Sequence, residues 1–226
     1  MGKVLFLIIL SLTLFSTEIF SQQFGWVELP NAPRADTIGR FEDLYFSNAN
    51  TGYAISIYGE VYRTSNGGAT WTSPADLNRQ NRSVGFFNPQ SGIIGTLDSN
   101  NVLYRTTNGG NNWTDITSSI QGIKPKGICG ISVVDENTAY GVGRYHCPSN
   151  IIKTTNGGVN WISIPIDTSL MRSAVDCKFW SADSGFVVGG YSPTNIYYNG
   201  NSVVLFTSNG GQTFVKKIYL PCFPES

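Results

Sequence analysis

One eight-residue phrase occurs four times in this chain and constrains its fold more than any other feature. It reads Thr64-Ser65-Asn66-Gly67-Gly68-Ala69-Thr70-Trp71, then Thr106-Thr107-Asn108-Gly109-Gly110-Asn111-Asn112-Trp113, then Thr154-Thr155-Asn156-Gly157-Gly158-Val159-Asn160-Trp161. The last copy, Thr207-Ser208-Asn209-Gly210-Gly211-Gln212-Thr213-Phe214, has Phe in the Trp place. The asparagines are 42, 48 and 53 residues apart. Self-similarity at such a period means one supersecondary unit repeated, each burying its apolar face against the next. Asn-Gly between β-rich runs is a strong hairpin signal, because the turn needs positive φ. The Asn side chain is expected to accept a hydrogen bond from the amide two residues on. The aromatic residue returns on the following strand with a large apolar area to bury. Asn66, Gly67, Gly68 and Trp71 and their counterparts through Phe214 therefore read as structural hairpin tips with aromatic anchors.

Upstream of each octet the same strand grammar recurs. In the first copy it is 41–46, a turn, 53–58, Gly59, 60–65, the octet turn, and a fourth strand opened by Trp71. The later copies align as 84–87, 92–97, 102–107 and 113 onward; 129–134, 139–143, 151–155 and 161–164; and 175–180, 185–190, 203–208 and 214–220. Four antiparallel strands per repeat make the blade of a β-propeller. The expected fold is all-β, with blades at about 41–73, 83–115, 128–165 and 174–220. The stretch 25–30 reads as an extra outer strand, since Trp26-Val27-Glu28-Leu29-Pro30 resembles Trp161-Ile162-Ser163-Ile164-Pro165.

The amino terminus carries an address. Lys3, an apolar run from Val4 towards Phe15, and Ser21 before Gln22-Gln23 predict a secretory signal peptide over 1–21, cleaved near Ser21. Thr17-Glu18 interrupts the run too early for a membrane span. The expected product, 22–226, is a single exported domain, extracellular or periplasmic, not inserted in a membrane. Fifteen basic residues balance fifteen acidic ones without a basic cluster, which argues against a nucleic-acid partner. Four cysteines in an oxidising compartment suggest two disulfides with three connectivities. Comparable strands favour Cys129 with Cys177, leaving Cys147 with Cys222. No tight Cys pairing and a single histidine argue against a metal, and no cofactor is implied.

The octet resembles the Asp-box, or bacterial neuraminidase repeat. Its Thr-Thr-Asn-Gly-Gly-x-x-Trp flavour, with a preceding Gly-Tyr-Ala strand, is similar to the photosystem II stability/assembly factor-like propellers. Such relatives are common among exported proteins of Bacteroidetes-type bacteria. The resemblance covers about residues 41–220. It implies blade architecture and more blades, often about seven, with the octets on a rim away from ligand. Asn replaces the motif's Asp in all four copies, and Phe214 replaces Trp in the last. Two architectures follow: an incomplete, truncated seven-bladed type forming an open arc, or a compact four-bladed ring with an extra packed strand. An open arc leaves an apolar blade face uncovered and predicts self-association.

Topology places the octets and the turns between first and second strands on one face. The connections between second and third strands, and between blades, lie on the other. Those second-face connections lengthen along the chain, and function tends to sit on such loops. A binding surface is expected around Arg144, Tyr145, His146, Tyr191, Tyr197 and Tyr198, for a protein, peptide or glycan. No Gly-x-Ser-x-Gly elbow accompanies His146, so no catalytic residue is assigned. Arg63 and Arg105, with Lys153 in the third copy, recur at one station, which reads as scaffold rather than a carboxylate clamp. The expectation is a non-catalytic scaffold or binding module. The alternative, implied by the same superfamily, is a glycan-acting hydrolase of the sialidase or xyloglucanase type.

Overall fold

The computed structural model describes residues 29–34, 39–143, 149–191 and 201–220. The expected signal peptide, most of the 25–30 strand, Cys147 and Cys222 lie outside the described residues. Blade 1 comprises β1 (Phe41–Phe46), β2 (Gly52–Ser56), β3 (Glu60–Thr64) and β4 (Thr72–Asp76). Blade 2 has β5 (Asn81–Phe86), β6 (Gly92–Thr96), β7 (Leu103–Thr106) and the two-residue β8 (Thr114–Asp115). A 3₁₀ turn (Thr117–Ser119) leads to β9 (Ile120–Gln121). Blade 3 has β10 (Ile128–Val133), β11 (Ala139–Gly143), β12 (Asn150–Thr154) and β13 (Trp161–Pro165). Blade 4 has β14 (Ser173–Phe179), β15 (Gly185–Tyr191), β16 (Asn201–Thr207) and β17 (Val215–Leu220). Within each blade the strands pair antiparallel in chain order, so the β-propeller reading holds. Blade 3 gains a fifth strand, because β9 pairs parallel with β13. Residues 29–34 form a turn and coil.

Each octet is a small hydrogen-bonded knot. The Thr64 hydroxyl accepts from the amides of Asn66 (3.3 Å) and Gly68 (2.9 Å) and donates to Asn66 Oδ1. The amide that Asn66 Oδ1 takes belongs to Thr70, four residues on rather than two (2.9 Å). Thr106, Thr154 and Thr207 repeat the arrangement. All four threonines are buried, and their bonds to the second glycine of each copy satisfy buried backbone amides. The left-handed positions fall on the two glycines, Gly67 (φ 69°) and Gly68 (φ 92°), and not on the asparagine. A neutral amide also suits the knot: Nδ2 of Asn66 and Asn209 donates to the hydroxyls of Thr70 and Thr213, which an Asp carboxylate cannot do.

The knot is tied to its own blade. Amides of Gly67, Gly109, Gly157 and Gly210 donate to carbonyls of Asn50, Gln90, Asn137 and Asp183 in the turn between first and second strands. That turn hides a second repeat. Asn48, Asn88, Asp135 and Ser181 each accept from the amides two and three residues on.

The aromatic anchor folds back over its own turn, and its indole donates to the second glycine's carbonyl in the three Trp copies (3.0–3.1 Å). Burial is unequal. Trp161 is fully buried in the core between blades 2 and 3, whereas Trp113 is half-buried beside the core between blades 1 and 2.

Three cores join the four blades. Tyr53, Ile55 and Val61 meet Val84, Phe86 and Ile94. Phe87, Ile93 and Leu103 meet Ile128, Ile152 and Trp161. Tyr140, Val142 and Ile151 meet Cys177, Phe179 and Val187. Among the described residues no such core joins blade 4 to blade 1. Blade 4 instead exposes Trp180, Phe186 and Val188, and blade 1 exposes Leu44 and Phe46. Among the described residues the four blades thus form an arc whose two end faces share no core.

Two stability predictions follow from burial. Trp161→Ala should cost about 3–5 kcal/mol and Trp113→Ala roughly half as much, measured by urea unfolding. Burial, and then the negative charge of Asp183, push the Tyr140 phenol up to about 12. An unfolded tyrosine titrates near about 10, so the unfolded chain loses its proton first. Stability is therefore intact below about pH 10 and falls as pH rises toward about 12. Denaturation midpoints across that range should show the slope, and Tyr140→Phe should flatten it.

Candidate functional site: an axial lumen and a long-loop face

The innermost strands β1, β5, β10 and β14 carry the same irregularity. Each breaks register with its neighbour at one residue: Glu42, Arg82, Cys129 or Val175. A bulge unpairs its residue and turns the strand locally. These four residues and their followers, Asp43, Ser83, Gly130 and Asp176, line an axial cavity of about 410 Å³. Sequence reasoning missed this lumen, because a bulge on an inner strand leaves no turn residue to mark it. The only available signal was the alignment of Glu42, Arg82, Cys129 and Val175 across copies.

The lumen carboxylates are committed. The Glu42 side chain, 1% exposed, ion-pairs with both Arg40 and Arg82. Asp43 accepts from the Leu44 amide (2.8 Å) and from the Val84 amide of the next blade (2.9 Å). Burial still raises its carboxyl above the usual range, against those two bonds. Asp176 accepts from the Cys177 amide (2.7 Å) and faces the same cavity. Asp135 lies apart on the octet rim, where the amides of Asn137 and Thr138 hold its carboxyl below the usual range.

No disulfide joins Cys129 to Cys177, which corrects the preferred pairing. The two residues sit at different stations of equivalent strands: Cys129 is the bulged residue, and Cys177 lies two stations beyond the bulge at Val175. The Cys177 thiol points instead at the Gly130 carbonyl (4.0 Å). Among the described residues no group of three or more His, Cys, Asp or Glu is placed to hold a metal ion.

Of the predicted binding residues, Tyr191 is described. It ends β15, and the Lys216 ammonium lies 5.0 Å from its ring centre, a cation–π distance. Arg144, Tyr145, His146, Tyr197 and Tyr198 lie outside the described residues. The connection from β2 to β3 is a tight turn at Gly59, and that from β6 to β7 is longer, over 97–102. Two of the three residues at the station of Arg63, Arg105 and Lys153 reach across to the following blade. Arg105 donates to the Gly157 carbonyl and Lys153 to the Ala182 carbonyl, each on the next blade.

No protein-family model matches the chain, and no curated protein matches it. Solved structures do. An ancestral GH74 enzyme superposes with a TM-score of 0.57 at 18% identity, over 79% of this chain and 25% of that one. YCF48 from Cyanidioschyzon merolae gives 0.54 at 14% identity, over 82% of this chain and 62% of that one. The GH74 xyloglucanase from Xanthomonas campestris gives 0.53 at 12% identity, over 74% of this chain and 28% of that one. The chain thus spans about a quarter of the length of the GH74 enzymes. At these identities the likeness is one of fold, the β-propeller, and fold does not choose between catalysis and binding.

Burial pushes the Cys177 thiol far up, so it should stay protonated and unreactive while the protein is folded. Iodoacetamide mapping by mass spectrometry should find Cys177 unmodified in native buffer and alkylated in urea.

Proposed function

We propose that the chain is an exported, non-catalytic propeller module that binds a protein, peptide or glycan on its long-loop face. The observation that carries the reading is the engagement of the described lumen carboxylates. Glu42 is held by two arginines, and both oxygens of Asp43 are taken by backbone amides. Groups that brace neighbouring blades are poorly placed to trade protons with a substrate. The binding surface is assigned to the connections that carry Arg144, Tyr145, His146, Tyr191, Tyr197 and Tyr198, carried on a rigid sheet scaffold. Export rests on the charged and apolar start of the chain. The resemblance to assembly factor-like propellers, and to the larger ring such relatives form, belongs to the same reading.

One observation favours the hydrolase alternative. Asp43 and Asp176 face one lumen, and the Asp43 carboxyl is raised, as an acid partner's would be. Glycan and peptide arrays, run beside fluorogenic sialoside and β-glucan substrates, separate the two. The expected outcome is binding without turnover, weakened about tenfold, or ~1.4 kcal/mol, by Tyr191→Ala. Turnover that disappears in Asp43→Asn would replace the binding reading with the hydrolase.

A further inference from the structure

Each contact between blades in this chain is built from the same stations. Tyr53 of β2 stacks on Phe86 of the next blade at 3.7 Å, and Tyr140 of β11 stacks on Phe179 at 3.6 Å. Between blades 2 and 3 an aliphatic pair, Ile93 and Val133, takes those two places. The receiving ring lies across a glycine of its own blade, since a β-carbon on Gly92 or Gly185 would run into Phe86 or Phe179. A flanking side chain then hydrogen-bonds the receiving residue's carbonyl. Tyr45 does so to Phe86, and Ser132 to Phe179.

Both halves of a fourth such contact exist, and neither is used among the described residues. Phe186 of β15 holds the giving station of Tyr53 and Tyr140, yet it is 37% exposed. Phe46 of β1 holds the receiving station of Phe86 and Phe179. It lies across Gly52 in the same posture and meets Trp71 edge-on, as Phe86 meets Trp113, yet it is 41% exposed. Lys178 stands where Tyr45 and Ser132 donate, and Asp176 repeats Asp43. At the cation station of Arg63, Arg105 and Lys153, blade 4 carries Phe206, packed with Trp180 and Phe186. The outer face of blade 4 is aromatic, whereas a repeat built to cap an array carries a polar one. The receiving side also stays open, as an apolar groove of about 570 Å³ lined by Leu44, Trp71 and Leu29.

We infer that a second copy of this chain supplies the missing partner, head to tail, with Phe186 of each copy stacked on Phe46 of the other. A giving face and a different receiving face make a heterologous contact, which yields a ring when the rotation closes. Two arcs of four blades make an eight-bladed ring, within the size range of propellers.

Light scattering on the eluting protein should give the mass of a dimer. Phe186→Glu and Phe46→Glu, at positions over a third exposed, should each give a folded monomer with an unchanged circular dichroism spectrum. Mixing the two variants should restore dimers, because one giving face and one receiving face remain intact in the pair. A double variant, Phe186→Cys with Phe46→Cys, should cross-link under oxidation to a covalent dimer and no further, while either single variant should not. A monomeric wild-type protein would overturn the proposal. So would a dimer indifferent to both charges, or a ladder of cross-linked species above the dimer.

Discussion

A buried threonine hydroxyl holds each blade of this protein in shape. Thr64, Thr106, Thr154 and Thr207 stand where a strand ends and the chain must reverse, and each gathers two amides and an Asn oxygen around one oxygen atom. With the turn closed, the first glycine's amide reaches the neighbouring turn, and in the three Trp copies the indole donates to its own glycine carbonyl. Three strands are thereby fixed relative to one another at one end of the sheet. Loss of that hydroxyl would strand the second glycine's buried amide at a cost of about 1–3 kcal/mol, at the point where the packing between blades begins.

What was legible in the sequence was what repeats. The four octets set the number of blades, the order of strands and the face on which the turns lie, because their geometry admits little else. The details that escaped depend on partners distant in sequence. Trp113 and Trp161 look alike in the chain, but only Trp161 is wholly covered by the preceding blade. Cys129 and Cys177 lie on equivalent strands, but Cys129 is level with Val175, two stations before Cys177. The lumen lies on the least periodic part of each repeat, where Glu42, Arg82, Cys129 and Val175 share a place and no chemistry. For the candidate binding face, only the position of Tyr191 is described.

The open arc connects fold and function. Its lumen, lined from four inner strands, spends its charge on bracing: Glu42 between two arginines, Asp43 between two blades. Its flat ends carry the apolar surface that would lie inside a closed ring. Rigidity within the arc and exposure at its ends come from one source, a packing surface repeated once more than it is used.

The outer edges of the blades are treated quite differently from those flat ends. β8 is two residues long, β4 carries Pro74, β13 is covered by β9, and β17 bears Lys216 and Lys217. Each is a recognised way to keep an exposed strand from recruiting another by backbone pairing. Each of the four blades uses a different device. Sideways growth into fibrils is guarded at every blade, leaving face-to-face stacking as the open direction for this molecule to meet another.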